Sequence, residues 1–332
     1  MAELVDLKVV HADGLHNAFT DLLFWHGYYY LSFRTAQSHG IQPHGDVLVL
    51  RSADLVCWEP CARMDTGADD RDPKLIDCGN HLGVVFGSWY PRWGDGTRSV
   101  ANAPHDLVSH LASSRDGKCW STPRQVYGVN YWLWRILPLG GSYYCAAYHF
   151  PLRRDRQRRM VHLLRSGNLL DWELVGQMRC GGGCGEPVLY QPEPGALHCV
   201  LRSLEPNHHS WLGRSEEPYL DWEWHDLGVM IHAPVVLPVD GRWIVAGRSQ
   251  VCDLPEGTCA PDSGHHTSLW EIDDTRVRHL ITVPSAGDCS YCGLATAPDG
   301  DILMSYYSQH ERLPLPELPP TPADIFLARL RL

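Results

Sequence analysis

The sequence lacks the features that mark several common classes of protein. No stretch approaches the roughly 18 consecutive apolar residues that a membrane span requires. With 28 Lys and Arg against 39 Asp and Glu, the formal net charge is −11, and the sequence has no basic stripe that could neutralise nucleic-acid phosphates. The first residues lack the basic and apolar regions of a secretory leader. We therefore expect a soluble, cytoplasmic protein that binds neither membranes nor nucleic acids, with secretion as the alternative if a leader has been removed.

Cysteine is too sparse for a scaffold held together by disulfides, because the 332 residues contain only 12. Cys289 and Cys292 have the CxxC spacing that zinc and redox sites use. This single pair has no clearly matched partner pair and lies in a predicted strand. We therefore expect no metal and no cofactor, and the role of the pair stays open.

Aromatic, glycine and proline residues, by contrast, are abundant. Thirteen Trp and 14 Tyr stand beside 30 Gly and 24 Pro, a balance that favours many short strands joined by turns over long helices. The composition indicates an all-β protein.

A short repeat recurs along the chain. The pattern S-x-[D/N]-x-x-x-W occurs at residues 52–58, 114–120 and 166–172, and a degenerate fourth copy spans 215–222. Each of the first three copies follows an alternating apolar segment that reads as a strand. The Ser and Asp or Asn side chains are suited to bonding turn amides, and the Trp is suited to packing between sheets. We predict that these boxes are structural hairpins.

Six further strand pairs lie between the boxes. The entry segments are 18–24, 73–76, 132–136, 186–190, 233–237 and 290–294, and their partners are 28–34, 82–87, 142–148, 197–202, 243–248 and 302–307. Segments 4–10 and 324–330 supply outer strands from both termini that would close a ring and leave no open edge. The sequence thus predicts a six-bladed β-propeller, with seven or five blades as alternatives, forming a single domain over residues 1–332. The Pro-rich stretch 313–322 is predicted to be a loop inside the last blade.

The boxes resemble those of sialidases and other Asp-box propellers, and the resemblance spans nearly the whole chain. The segment around Tyr291 is similar to the one that carries the nucleophilic Tyr of sialidases. Glu186 and Arg202 lie in segments similar to those that hold the Glu activating that Tyr and an Arg that binds carboxylate, and Arg248 matches a later Arg position loosely. The resemblance implies a glycosidase that acts on an acidic sugar.

Two departures point to a second branch of the superfamily. Where a sialidase has its first carboxylate-binding Arg, this chain has a segment that contains His16 and Asp21. Where a sialidase has its acid/base Asp, the chain has a loop with Arg34 and His39. This arrangement also resembles propeller polysaccharide lyases that act on uronic acids.

Both chemistries need a cation for the sugar carboxylate, and Arg is favoured because its planar guanidinium grips a carboxylate with two bonds. The candidates at or near strand ends are Arg34, Arg71, Arg135, Arg202 and Arg248. Hydrolysis would use Tyr291 as nucleophile, Glu186 to activate it, and His39 or Asp21 as acid. Elimination would use His16 or His39 as base, Tyr291 or Tyr143 as acid, and Arg135 or Arg202 to neutralise the carboxylate.

We expect hydrolysis of a glycosidic bond at a sialic or uronic acid, with β-elimination as the close alternative and a non-catalytic, glycan-binding propeller as the third. The partner in each case is an acidic oligosaccharide or glycan. The sequence leaves open the sugar, the linkage, exo or endo action and the oligomeric state.

Overall fold

The computed structural model describes residues 2–40, 42, 44–91, 105–150, 158–259, 264–312 and 322–332. Among these residues no helix has the length and hydropathy needed to span a bilayer. The helical residues assigned within them form short 3₁₀ turns such as Val251–Asp253 and His310–Arg312.

The strands form six four-stranded sheets, or blades. The chain begins with β1 (Glu3–His11), and blade 1 follows with β2 (His16–Trp25), β3 (Tyr28–Ala36), β4 (Asp46–Ser52) and β5 (Glu59–Met64). Blade 2 contains β6 (Asp69–Asp77), β7 (Leu82–Pro91), β8 (His105–Ser114) and β9 (Arg124–Val126). Blade 3 contains β10 (Tyr131–Leu139), β11 (Ser142–His149), β12 (Met160–Ser166) and β13 (Trp172–Cys180). Blade 4 contains β14 (Gly185–Tyr190), β15 (Ala196–Arg202), β16 (Trp211–Glu216) and β17 (Glu223–Asp226). Blade 5 contains β18 (His232–Val239), β19 (Arg242–Gln250), β20 (His265–Asp273) and β21 (Arg276–Val283), and blade 6 contains β22 (Ser290–Thr296), β23 (Ile302–Ser308) and β24 (Asp324–Arg331).

Blade 6 is completed by the first strand of the chain. β1 pairs antiparallel with β24, so the sheet runs β1-β24-β23-β22. The innermost strands β2, β6, β10, β14, β18 and β22 each pack against the innermost strands of both neighbouring blades, which closes the ring. The prediction of a six-bladed all-β propeller closed by both termini is confirmed. The predicted loop at 313–322 lies almost entirely outside the described residues.

Every innermost strand carries a β-bulge near its start. In each case the inner strand has one residue more than its partner, so the register shifts by one residue after Ala18, Arg71, Leu133, Gly185, His232 and Ser290. The first residues in these slips are Phe19, Asp72, Trp134, Glu186, Ala233 and Tyr291, and all of these except Trp134 have a positive φ, between 48° and 63°. Such backbone is strained for a residue with a side chain, and bulges commonly redirect side chains next to active sites. The propeller therefore gathers six equivalent, redirected positions around its axis.

The three boxes form the same turn, each between the third and fourth strand of a blade. Asp54 Oδ1 accepts hydrogen bonds from the amides of Val56 and Cys57 at 2.9 and 2.8 Å. Asp116 and Asn168 each accept from the amides two and three residues later in the same way. Since the chain reverses at each strand, these turns lie at the end of the propeller opposite the bulges.

Candidate active site

A cavity of about 390 Å³ opens at the end of the propeller where the innermost strands begin. Four of the six bulge residues line it: Phe19, Asp72, Glu186 and Tyr291. Its other charged lining residues, among those described, are Arg71, Arg159, Arg202 and Arg248. Four guanidinium groups against two carboxylates give the lining an excess of positive charge in a protein whose net charge is −11. The cavity is suited to an anion.

Tyr291, Glu186 and Arg202 form one hydrogen-bonded cluster in this cavity. The Tyr291 hydroxyl donates to Glu186 Oε1 at 2.7 Å, and Arg202 Nη1 contacts both Glu186 Oε1 and, at 3.3 Å, the Tyr291 oxygen. The other Glu186 oxygen accepts from the amide of Ala233 at 3.0 Å. Burial and the Glu186 carboxylate raise the pKa of Tyr291 well above its ordinary value, although Arg202 and Arg248 oppose this rise. The phenol is therefore protonated at rest, with a carboxylate in place to take its proton.

Asp288 organises the neighbouring part of the site. Its Oδ2 lies 2.9 Å from His16 Nε2 and 2.5 Å from His39 Nδ1, and its Oδ1 accepts from Arg248 at 3.0 Å and from Tyr307 at 2.8 Å. Burial alone would raise the pKa of Asp288, but these donors hold it well below its ordinary value. His39 lines the cavity with about half of its side chain exposed, whereas His16 lies fully buried behind it.

Phe19 occupies the bulge of blade 1, in the segment where the resemblance places the first carboxylate-binding Arg of a sialidase. The guanidinium of Arg71, from the next blade, lies over the Phe19 ring with its carbon 4.8 Å from the ring centre. Arg71 thus brings a cation from blade 2 to the blade 1 side of the cavity. Arg71 also donates to the carbonyl oxygen of His39 at 3.1 Å, which ties it to the loop that carries that imidazole.

Asp72 is a buried carboxyl group that lines the cavity. Burial raises its pKa to about 6, and the cations of Arg71 and Lys74 oppose this rise. Its Oδ1 is buried without a hydrogen-bond partner. Lys74 lies deeper, fully buried, with its ammonium 5.0 Å from the Trp134 ring centre, and burial lowers its pKa to about 8.

Aromatic side chains from blades 2 and 3 form the opposite wall of the cavity: Trp89, Trp132, Tyr148 and Phe150. Trp132 and Tyr148 stack with ring centres 5.6 Å apart. An alanine at Gly87 would place its Cβ 2.6 Å from Trp132, so the Trp132 ring lies directly on that backbone. Flat apolar faces beside cations are suited to a sugar that carries both apolar C–H surface and a negative group.

Six residues predicted from the sequence line the cavity: Tyr291, Glu186, His39, Arg71, Arg202 and Arg248. His16 does not line it; this residue is fully buried and hydrogen bonded to Asp288. Four others do not line it. Arg34 is fully buried and binds Asp69 and the carbonyl oxygens of Ser38 and Gly40, which supports the His39 loop.

Asp21 and Arg135 lie beneath the cavity rather than in it. Arg135 donates to Asp21 Oδ1 at 2.7 Å and to the carbonyl oxygen of Cys292 at 2.6 Å, while Asp21 Oδ2 accepts from the amide of Leu75. Both are therefore occupied in joining blades 1, 2, 3 and 6. Tyr143 lies near the start of β11, at the opposite end of the propeller.

Three charged residues of the site were missed by the sequence analysis: Asp72, Asp288 and Arg159. A signal for Asp72 did exist, because Asp72, Glu186 and Ala233 are all bulge residues followed directly by Pro. Asp288 precedes its strand and carries no local signal. The predicted CxxC pair forms no disulfide, and both sulfurs are buried.

His16, His39 and Asp288 are also the set of described side chains whose ligand-type atoms come within 4.8 Å of one another. Two imidazoles and a carboxylate are chemically able to bind a divalent cation. In this structure, however, both imidazoles are hydrogen bonded to the same carboxylate oxygen.

No family model matches the chain, and no curated protein matches its sequence. Solved structures do match. A protein of unknown function from Dyadobacter fermentans is 17% identical with a TM-score of 0.81, over 100% of this chain and 99% of that one. Trypanosoma rangeli sialidase in complex with sialic acid is 13% identical with a TM-score of 0.64, over 96% of this chain and 54% of that one. Phage phi92 endosialidase is 10% identical with a TM-score of 0.67, over 98% of this chain and 69% of that one. The fold is that of the sialidases.

At such low identities the likeness to sialidases concerns the fold alone. The chain spans about half the length of the trypanosomal sialidase and nearly all of the Dyadobacter protein. Its activity therefore has to be argued from the chemistry of the cavity.

Proposed function

We propose that the protein is a sialidase-like glycosidase that cleaves a glycosidic bond at an acidic sugar. The observation that carries this proposal is the cluster of Tyr291, Glu186 and Arg202 in an arginine-lined cavity. Trypanosoma rangeli sialidase, which has the same fold, was solved in complex with sialic acid, and this supports the choice of an acidic sugar.

The first step forms a bond between the Tyr291 oxygen and the anomeric carbon. Glu186 takes the phenol proton, and Arg202 stabilises the charge that develops on the oxygen. The glycosidic C–O bond breaks, its electron pair goes to the leaving oxygen, and that oxygen takes a proton from a general acid. A neutral phenol approaches an anionic sugar without the repulsion that a carboxylate nucleophile would meet.

The second step reverses these roles. A water oxygen bonds to the anomeric carbon and gives its proton to the group that served as acid, the C–O bond to Tyr291 breaks, and the phenol regains its proton from Glu186. The sugar is released with its original anomeric configuration.

Of the two acids predicted from the sequence, His39 has the suitable position. Asp21 is buried beneath the cavity and occupied by Arg135 and a backbone amide, whereas His39 lines the cavity with half of its side chain exposed. Asp72 is the competing acid in the cavity, since its pKa of about 6 keeps a fraction of it protonated near neutrality.

β-Elimination is the second candidate, because His39 beside an arginine-bound carboxylate is also an arrangement for removing the proton next to that carboxylate. Of the predicted participants, Tyr291 and Arg202 line the cavity, while Tyr143, Arg135 and His16 do not. The elimination hypothesis therefore reduces to His39 as base and Tyr291 as acid.

The test is to incubate the protein with sialylated and uronic-acid glycans and to read released sugar and ultraviolet absorbance together. Hydrolysis gives saturated products, retained anomeric configuration and no absorbance change. Elimination gives an unsaturated uronate and an absorbance rise. Binding without turnover, unchanged in Tyr291→Phe, would leave a glycan-binding propeller, and neither binding nor turnover would refute both enzymatic proposals.

A further inference from the structure

The carboxylate of Asp288 is shared by four side chains. Two imidazoles, His16 and His39, are hydrogen bonded to Oδ2, while Arg248 and Tyr307 donate to Oδ1. Its own amide donates to the Gln309 side chain at 2.8 Å. A carboxylate has about four acceptor sites, so all of them are used and the group cannot rotate without breaking several bonds.

This arrangement fixes which ring nitrogens carry protons. Asp288 is ionised, because its donors hold its pKa well below the ordinary value, and an ionised carboxylate only accepts. The proton on His39 therefore lies on Nδ1, toward Asp288, and that on His16 lies on Nε2. The Nε2 of His39 is left for proton exchange with a molecule in the cavity. His16 is fully buried, and burial lowers its pKa, so that it acts as a neutral donor.

The same carboxylate also holds an arginine of the cavity. Arg248 is bonded to Asp288 Oδ1, to the carbonyl oxygen of Cys289 at 2.7 Å and to the Tyr307 oxygen at 2.9 Å. Its guanidinium carbon lies 5.3 Å from the Tyr291 ring centre, next to the proposed nucleophile. The imidazole and the guanidinium are thus set at a fixed distance from one another by a single side chain.

We propose that Asp288 is the positioning residue of this site: it fixes His39 as the general acid and base and holds Arg248 beside Tyr291, with His16 as its buried support. The inference rests on the proposed glycosidase function and names a residue that the sequence resemblance did not assign. It also explains how an imidazole can stand where a sialidase has an acid/base carboxylate. An Asp-held imidazole has a fixed tautomer and a fixed orientation.

A divalent cation between the two imidazoles and Asp288 is the competing arrangement. It is disfavoured because Asp288 already has four donors, one of them the cation of Arg248 at 3.0 Å. A ligated His usually donates its other ring proton to an acceptor, and His16 Nδ1 is buried without a partner. In the hydrogen-bonded arrangement this Nδ1 carries no proton. Burying an unprotonated ring nitrogen without a partner costs less than burying an N–H donor without an acceptor.

The test compares Asp288→Asn with His39→Ala on two acidic glycosides that differ only in the leaving group. An activated aryl leaving group departs without a proton, whereas a sugar leaving group needs one. We expect His39→Ala to reduce kcat/KM, which reports the step that expels the leaving group, about 10²- to 10⁴-fold for the sugar leaving group and much less for the aryl group. Asp288→Asn should show the same selectivity with a smaller loss, together with a raised KM for both substrates because Arg248 is released.

Asp301→Asn is the matched control. Asp301 is also a buried, arginine-bound carboxylate of blade 6, but it binds Arg329 and Arg331 at the opposite end of the propeller. The Asp301→Asn variant should have the same kcat and KM as the unmodified protein on both substrates. If Asp288→Asn does not fold, Tyr307→Phe removes a single donor from Oδ1 and should give a weaker version of the same pattern.

The outcomes separate the two proposals. A wild-type protein that turns over neither glycoside overturns the glycosidase function itself. Turnover by the wild type, with Asp288→Asn losing equal activity on both substrates or none, overturns only the role of Asp288. Loss of activity on chelation with EDTA and its return with Mn²⁺ or Zn²⁺ would identify a cation site and overturn the hydrogen-bonded arrangement.

Discussion

Polar side chains at the two ends of the propeller find their hydrogen-bond partners at very different distances along the chain. At the end that carries the box turns, called the hairpin end below, Asp54 accepts hydrogen bonds from amides two and three residues away. At the cavity end, Tyr291 bonds Glu186 across 105 residues, and His39 bonds Asp288 across 249. The contacts at the hairpin end therefore need only one blade, whereas those at the cavity end need blades that the closed ring brings together.

The two ends also differ in backbone conformation and in buried charge. Five of the six bulge residues at the cavity end have positive φ angles, and the same end contains buried charged groups such as Asp72 and Lys74. Both features oppose stability and are common at functional sites. We therefore expect substitutions at the cavity end to change activity strongly, and substitutions at the hairpin end to change stability alone.

Tyr291→Phe should give the largest effect, a fall in kcat of at least about 10³-fold with an unchanged melting temperature, because it removes the nucleophilic oxygen. Tyr306→Phe is the matched control, since Tyr306 is also buried in blade 6 and donates to the carbonyl oxygen of Pro284 at 2.8 Å. Steady-state kinetics and thermal unfolding measure both. Full activity in Tyr291→Phe would exclude Tyr291 as nucleophile.

Asp72→Asn should stabilise the protein in a pH-dependent way. The pKa of Asp72 is raised by burial from its ordinary 3.8 to about 6, so ionising it in the folded state is unfavourable, and stability declines as pH rises between these values. The neutral amide removes this penalty. We expect a gain in unfolding free energy of about 3 kcal/mol near pH 7.5 and almost none near pH 4.

Denaturant unfolding at the two pH values measures this difference. Asp77→Asn, at an exposed position on the same strand, is the control variant. An equal change at both pH values for Asp72→Asn would mean that its ionisation does not oppose folding.

Arg71→Lys should raise KM for an acidic sugar about tenfold with little change in kcat, since Lys loses the planar grip on a carboxylate and the stacking on Phe19. Arg51→Lys is its control. Arg51 also lies over an aromatic ring, that of Tyr28 at 4.6 Å, and pairs with Glu59, but it does not line the cavity. Equal KM values for the two variants would remove Arg71 from the anion site.

Asp116→Ala should give the smallest effect, a melting temperature lower by about 1–3 °C with unchanged kinetics, because two turn amides lose their acceptor. Asp116→Asn should be nearly neutral, since Asn168 makes the same two bonds in blade 3. A loss of activity in Asp116→Ala would show that the two ends are coupled.

Much of the fold could be predicted because its signals are local. The boxes, the alternating apolar segments and the two terminal strands each lie within a few residues, and they define the six blades. Tyr291 and Glu186 could be found for the same reason, since each lies in a segment that resembles a known one. Asp288 could not, because nothing near it in the sequence indicates that two distant imidazoles meet it.

The arginines show most clearly what the sequence by itself determined and what the tertiary structure decided. The chain sequence specifies strand starts and therefore places several arginines near the axis. Whether a given guanidinium enters the cavity depends on the bulge beside it and on the partner that the neighbouring blade offers. Arg34 meets Asp69 and is buried, while Arg202 meets Glu186 and Tyr291 and faces the cavity. Local sequence patterns determine the blades. Only closure of the ring brings distant charged groups together at low solvent exposure, and it therefore determines which residues form the site.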